Sequence, residues 1–204
     1  MNRSLASALL VAAAAATLGA CSLTRPSPVK QMYLIEPPPA SAVTPTSPYT
    51  ARIGTVTVGA PYRDRTFVVR EADLRFETDF YHEYVVAPAP MIAEAIARSL
   101  AEARVFAKVI PPGAPPEAEF TIDAFVSSLF ADNRDARAPA AELAITFYVS
   151  RTDRALAPMW AKEYRRRAAL AAPSAETYTA AQSASLGEIL AELARDLAAE
   201  RALR

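Results

Sequence analysis

A single cysteine, a single histidine and five glycines in 204 residues leave this chain short of raw material for several chemistries. One cysteine excludes an intramolecular disulfide framework, and one cysteine with one histidine argues against a Cys/His zinc site. Five glycines offer little to a phosphate-cradling loop, and no P-loop, G-x-G-x-x-G turn, G-x-S-x-G elbow or H-E-x-x-H helix occurs. Excess charge is missing as well. Lys+Arg and Asp+Glu both total 22, so the basic stripe of a nucleic-acid binder is not expected. No cofactor, metal or nucleic-acid partner follows from this composition. With 52% hydrophobic residues, the chain has enough apolar material for one globular domain with a sizeable core.

What the chain has in quantity is proline, 17 residues of it, concentrated near the N-terminus. Ahead of that region, Arg3 and the run "LASALLVAAAAATL" (5–18) form the charged and apolar parts of a secretory signal, too short for a confident membrane span. The order Leu18-Gly19-Ala20-Cys21 resembles the lipobox of bacterial lipoproteins. That resemblance implies cleavage of residues 1–20 and acylation of Cys21, the alternative being an ordinary cleaved signal with an incidental cysteine. Acyl chains contribute about 0.8 kcal/mol per buried methylene, so several of them anchor a protein without any transmembrane helix. Ser22 in place of the aspartate that retains some lipoproteins at the inner membrane favours the periplasmic leaflet of the outer membrane. The periplasmic face of the inner membrane is the alternative. Residues 21–50 then read as the acylated cysteine and a Pro-rich tether, interrupted by a short strand near 32–35.

The body is expected over 51–204. Alternation predicts strands in "ARIGTVTV", "TFVVRE", "DLRFETDF", "RVFAKVI", "AEFTIDAFVSSLFAD", "AELAITFYVSRTD" and "APMWAKEYRRRAAL". Pro88 and Pro90 open a helix with Ile92, Ile96 and Leu100 at i+4 spacing. A long C-terminal helix starts after Pro173 and Ser174, with Leu186, Ile189, Leu190, Leu193 and Leu197 as its stripe. The order implies an α+β domain: a largely antiparallel or mixed sheet with two main helices on one face, the other face left for a partner.

Catalytic candidates are thin. His82 in "DFYHEYVV" reads as a half-exposed strand or loop histidine rather than part of a triad, and the spacing of Asp79, Glu83 and Asp123 does not exceed chance. Phe76, Phe80, Tyr81 and Tyr84 serve either core packing, the commoner use, or an apolar binding ridge. "EYRRR" (163–167) reads as a charged edge guard, with an acidic partner or anionic lipid as the alternative.

The lipobox, "YLIE", the block "PYRDRTFVVR" (61–70), the "D-F-Y-H-E-Y-V-V-A-P" lead into a helix, "A-R-V-F-x-x-V" and the long last helix together resemble the ABC-type transport auxiliary lipoproteins. This group includes the paraquat-inducible protein C lipoproteins. Relatives carry a tryptophan where this chain has "EYVVAP". The resemblance covers essentially the mature chain. It implies a non-catalytic lipoprotein that serves an MCE-type (mammalian cell entry) ABC system moving lipids or other hydrophobic substrates across the envelope. Its expected partners are an MCE-domain subunit and the membrane through acylated Cys21, and a homo-oligomer matching a multimeric MCE subunit is compatible with it. Tyr62, Arg63, Asp64, Arg65, Phe67 and Arg70 are candidates for partner docking, with pinning of a turn by ion pairs as the equal alternative. Two other functions are weighed: a lipoprotein holding a hydrophobic ligand in its own pocket, and a periplasmic hydrolase using His82.

Overall fold

The computed structural model describes residues 29–44, 47–114, 117–154 and 158–203, so Cys21 and the signal lie outside the described residues. In chain order the elements are β1 (Gln31–Tyr33), β2 (Ser47–Val58), β3 (Thr66–Arg70), β4 (Phe76–Tyr84), α1 (Pro88–Glu102), β5 (Phe106–Ile110), β6 (Phe120–Asp132), β7 (Ala140–Arg151), β8 (Trp160–Ala169) and α2 (Ala175–Ala199). They form an α+β fold with one mixed eight-stranded sheet.

The centre of the sheet is β6. It pairs antiparallel with β7 from Phe120↔Arg151 to Asp132↔Ala140, and β7 pairs antiparallel with β8. Phe120, Ile122, Ala124 and Val126 of β6 are buried against the helices, together with Leu143, Ile145, Phe147 and Val149 of β7, as period-two alternation requires. A bulge between Val126 and Ser128 inserts one residue in β6, so Leu129 and Ala131 take over the buried positions. On its other edge β6 serves two strands in succession. β2 runs parallel to it from Ala51 to Val58, and Gly59 donates its N–H to Val126 O at 2.9 Å. A 3₁₀ turn at Ala60–Tyr62 then carries the chain away, and β3 returns parallel at Val69↔Ala131. β5 extends the first half beside β2, while β4 and β1 extend the second beside β3.

Both helices pack on the same face, α1 over β2 and β5, α2 over β7 and β8. Pro88 stands at the first turn of α1, where its missing N–H has no intrahelical partner to lose, and Ile92, Ile96 and Leu100 are buried. Ser174 caps α2 in a reciprocal capping box with Thr177, and all five predicted stripe leucines and isoleucine are buried. Along β8, alternate side chains face α2. Lys162 meets Glu192 and Asp196, Arg166 meets Glu188 and Glu192, and the Tyr164 hydroxyl donates to Asp196 at 2.5 Å. Burial, then that carboxylate, pushes the Tyr164 phenol well above its ordinary value.

The proline-rich stretch after β1 differs from the expected tether. Residues 34–44 form a strap across α1 and α2: Ile35 is buried, Glu36 N–H donates to Ser183 Oγ, Ala40 N–H to Glu102 Oε2 and Val43 N–H to Ala103 O. Pro37–Pro39 make this possible, because three residues without N–H groups cross a helix pair with no donors to satisfy. Pro38 lies against Gly187 of α2, and the first long strand begins at Ser47 rather than Ala51.

The far end of β6 is held by charge. Asp132, 2% exposed, accepts from Arg134 (2.9 Å) and Arg167 (2.7 Å), and Arg167 also reaches Glu142. Hydrogen bonds from Arg134, and then Arg167, outweigh burial and hold the Asp132 carboxyl far below the usual carboxylate range.

Two outcomes follow from these contacts. A Cβ at Gly187 would sit 2.7 Å from Pro38 Cδ, so Gly187→Val lifts the strap and accelerates amide exchange at Ala40 and Val43 while α2 stays protected. Because the folded-state pKa of Asp132 lies below its unfolded value, its stabilisation is complete at neutral pH and is lost on acidification below about pH 4. Urea midpoints across pH should show this slope in the parent protein. Asp132→Asn should be less stable at neutral pH and flatter in acid.

Candidate docking surface

β4 is interrupted where it faces β3. Thr66 pairs with Glu83 and Val68 with Thr78, so a single β3 residue spans Asp79–His82. The extra residues form a bulge organised by the Asp79 carboxylate. Its Oδ1 accepts the N–H groups of Tyr81 (2.8 Å) and His82 (3.1 Å), and its Oδ2 lies 2.7 Å from His82 Nδ1. Burial raises the Asp79 pKa, but the His82 hydrogen bond and those two backbone donors outweigh it, leaving the group below its ordinary value. The histidine is thus a structural partner of the bulge, and the result is to turn Phe80 (67% exposed) and Tyr81 outward.

β1 lies parallel beside β4, with Gln31↔His82, Met32↔Glu83 and Tyr33↔Tyr84 in register. Tyr33 faces the core. Its ring is 5.4 Å from Phe67, and its hydroxyl is 2.8 Å from Glu176 in the first turn of α2. Burial and then Glu176 raise its pKa. Beneath it, Phe67, Tyr84 and Tyr178 form an aromatic cluster with centroids 4.5 and 5.1 Å from Phe67. Met32 and Leu34, on the opposite parity, are exposed and continue the apolar surface of Phe80 and Tyr81, with Val85 and Val86 following β4. A small polar cluster runs through this ridge. Lys30 sits 5.4 Å over the Phe80 ring and 3.3 Å from Glu83, which also pairs with Arg65 at 2.8 Å.

The block 61–70, read in sequence as either a docking element or a turn pinned by ion pairs, is divided by the fold. Phe67 is a correction: alternation in β3 turns it into the core, 3% exposed, and it is no docking residue. Arg65 belongs to the β1–β4 edge, donating to Tyr84 O and Glu83. Tyr62 stacks on Phe130 at 5.8 Å, and Arg70 lies over Phe76, which meets Phe130 edge-on. This second aromatic group lies on the sheet face away from the helices. Arg63 and Asp64 are exposed on the turn before β3. Of "EYRRR", Arg165 meets Glu163, Arg166 meets α2 and Arg167 meets Asp132 and Glu142, so the run is neutralised within the fold. Met32, Leu34, Val85, Val86, Lys30 and Glu83 were missed as site residues. The alternation Lys30-Met32-Leu34 was the signal for the first strand, since it opposes Tyr33 and Ile35.

Two concavities bear on ligand binding. One, about 250 Å³, lies at the start of α2 and includes Glu71, Asp79 and Asn133 among its lining residues. That is below the roughly 300–1,000 Å³ of ordinary ligand sites. The other, about 530 Å³, is a surface groove under the strap, bordered by Pro38, Val43, Ala191 and Arg195. No helix among the described residues is long and apolar enough to cross a membrane.

No known family's sequence profile matches this chain, and no curated protein does. Solved structures do share the fold. Protein XCC0632 from Xanthomonas campestris, a DUF330 protein, superposes with TM-score 0.70 at 12% identity, covering 80% of this chain and 92% of its own. An uncharacterised protein gives 0.65 at 9% identity over 83% and 99%. A PelC dodecamer from Paraburkholderia phytofirmans gives 0.37 at 13% over 78% and 93%. The first two likenesses define the class, an α+β domain with the fold of XCC0632, and at these identities they define the fold alone.

If Asp79 organises the bulge, Asp79→Ala should cost about 1–2 kcal/mol of unfolding free energy, through two amides and a ring N–H left without their acceptor. Exchange at Tyr81 and His82 should rise, and intact protection there would show that the carboxylate does not hold the strand.

Proposed function

We propose that the protein is a lipid-anchored envelope protein that serves as a non-catalytic adaptor of an MCE-type ABC transport system for lipids or other hydrophobic substrates. Cleavage before Cys21 leaves residues 21–204, held to the periplasmic leaflet of the outer membrane by acyl chains on Cys21. The reading rests on the lipobox-like order Leu18–Cys21 and on the family resemblance of the block that follows.

One structural observation supports the adaptor role above others: both helices lie on one face of the sheet, and no helix among the described residues covers the other. That second face presents Thr57, Phe125, Thr146, Tyr148, Glu163 and Arg165, a mixed surface with an exposed aromatic at its middle strand. A polar face with isolated aromatic anchors matches the make-up of non-obligate protein interfaces. The MCE-domain subunit docks there in this reading, and the strap and helices face away from it.

The experiment is affinity purification of the full chain in mild detergent from cells fed labelled palmitate. The parent protein is expected to carry label and recover an MCE-domain subunit. Cys21→Ala should carry no label, and Phe125→Arg should keep the label but lose the subunit. Label surviving in Cys21→Ala overturns the anchor, and failure of the parent to recover any MCE subunit overturns the adaptor role.

A further inference from the structure

The Asp79 bulge has a cost without a packing return. Three residues leave the β3–β4 ladder, two amides need a carboxylate to satisfy them, and the rings this projects, Phe80 and Tyr81, point at solvent. Such an arrangement is pre-organised for something outside the fold. On the neighbouring β1 and just after β4, Met32, Leu34 and Val85 are exposed as well, grouped with the two rings around the Lys30–Glu83–Arg65 cluster.

What covers this ridge is indicated by where the chain comes from. Val29, 85% exposed, is the first described residue and leads directly into β1. Cys21 lies eight residues earlier, and eight residues span no more than about 29 Å even when fully extended. The acyl anchor and the ridge are therefore covalent neighbours, and β1 with its bulged partner is the part of the body that meets the bilayer first. We propose that the ridge of Met32, Leu34, Phe80, Tyr81 and Val85 is a membrane-contacting surface that seats the β1–β4 edge in the lipid interface and sets the orientation of the sheet. This rests on the reading of Cys21 as the acylated residue.

The chemistry suits that occupant. Aromatic rings with one polar end and aliphatic side chains favour the headgroup boundary. Lys30 lies 5.4 Å over the Phe80 ring and shares the carboxylate of Glu83 with Arg65, so two cationic side chains stand beside the rings, balanced by Glu83 and Asp79, as suits a zwitterionic headgroup layer. A second copy of the chain is a poorer occupant, because β1 offers three residues of free edge before Pro37–Pro39 end its capacity to pair.

The test uses full-length lipoprotein reconstituted into vesicles of phosphatidylethanolamine and phosphatidylglycerol with brominated acyl chains. Trp160, the single tryptophan, lies on β8 at the opposite edge of the sheet, so the parent protein supplies its own control. Phe80→Trp should add emission that is mostly lost to bromine quenching, while Trp160 emission stays nearly unchanged. Leu34→Trp, an independent reporter on β1, should behave as Phe80→Trp does. Acylated protein that floats with the vesicles but leaves both reporters unquenched overturns the ridge and spares the anchor. Reporters that are shielded only at high protein concentration, or only with an MCE-domain subunit present, also overturn it, assigning the ridge to a second copy or to that partner. Absence of acyl chains on Cys21, read by mass spectrometry of the N-terminal peptide, overturns the anchor and the inference together.

Discussion

One strand must satisfy hydrogen bonds on both edges along thirteen residues, and the fold is arranged around that need. On one side β7 does this alone, as the twelve-rung antiparallel register shows. On the other, no single segment runs the whole length. β2 leaves at Val58 and β3 arrives at Val69, and the two halves of the sheet grow outward from this division. The bulge in β6 lies near the same level, so the buried parity changes where the neighbouring strand does. The 3₁₀ turn with Tyr62 fills the gap and packs on Phe130 from the face away from the helices.

That division separates two kinds of surface. The half built from β2, β5, β6, β7 and β8 carries the helices on one side and a mixed, uncovered sheet face on the other. The half built from β3, β4 and β1 ends in an apolar edge next to the chain's arrival from the N-terminal segment. In the proposed reading, a chain tethered at that edge presents its uncovered face at a defined angle, as an adaptor between a membrane and a partner requires. The strap contributes to this by tying residues 35–43 to both helices, so that the first strand cannot swing away from the body.

The Asp79–His82 pair illustrates how little a favourable residue type says about function by itself. A carboxylate 2.7 Å from an imidazole has the geometry of two-thirds of a triad. Here the same carboxylate also accepts two backbone donors in a bulge, so its charge is committed to local structure. The chemistry that remains visible is the exposure of two aromatic rings.

Local period was enough to find both helices, their buried stripes and the parity of β6 and β7, because 3.6- and 2-residue repeats are written directly in which side chains are apolar. Proline before α1 and serine before α2 marked their starts for equally local reasons. The strap, the division of the β6 edge and the Asp79 bulge were decided only in three dimensions. The strap and the division of the β6 edge depend on groups far apart in the chain, as with Glu36 and Ser183 or Val69 and Ala131, while the Asp79 bulge is held by local bonds to Tyr81 and His82, and period-two alternation records neither kind of pair. The same holds for the block 61–70, which reads as one motif in sequence. In the fold Phe67 goes to the core, Arg65 to the apolar edge, and Tyr62 and Arg70 to the opposite sheet face, since a turn followed by an alternating strand separates neighbours in sequence onto different surfaces.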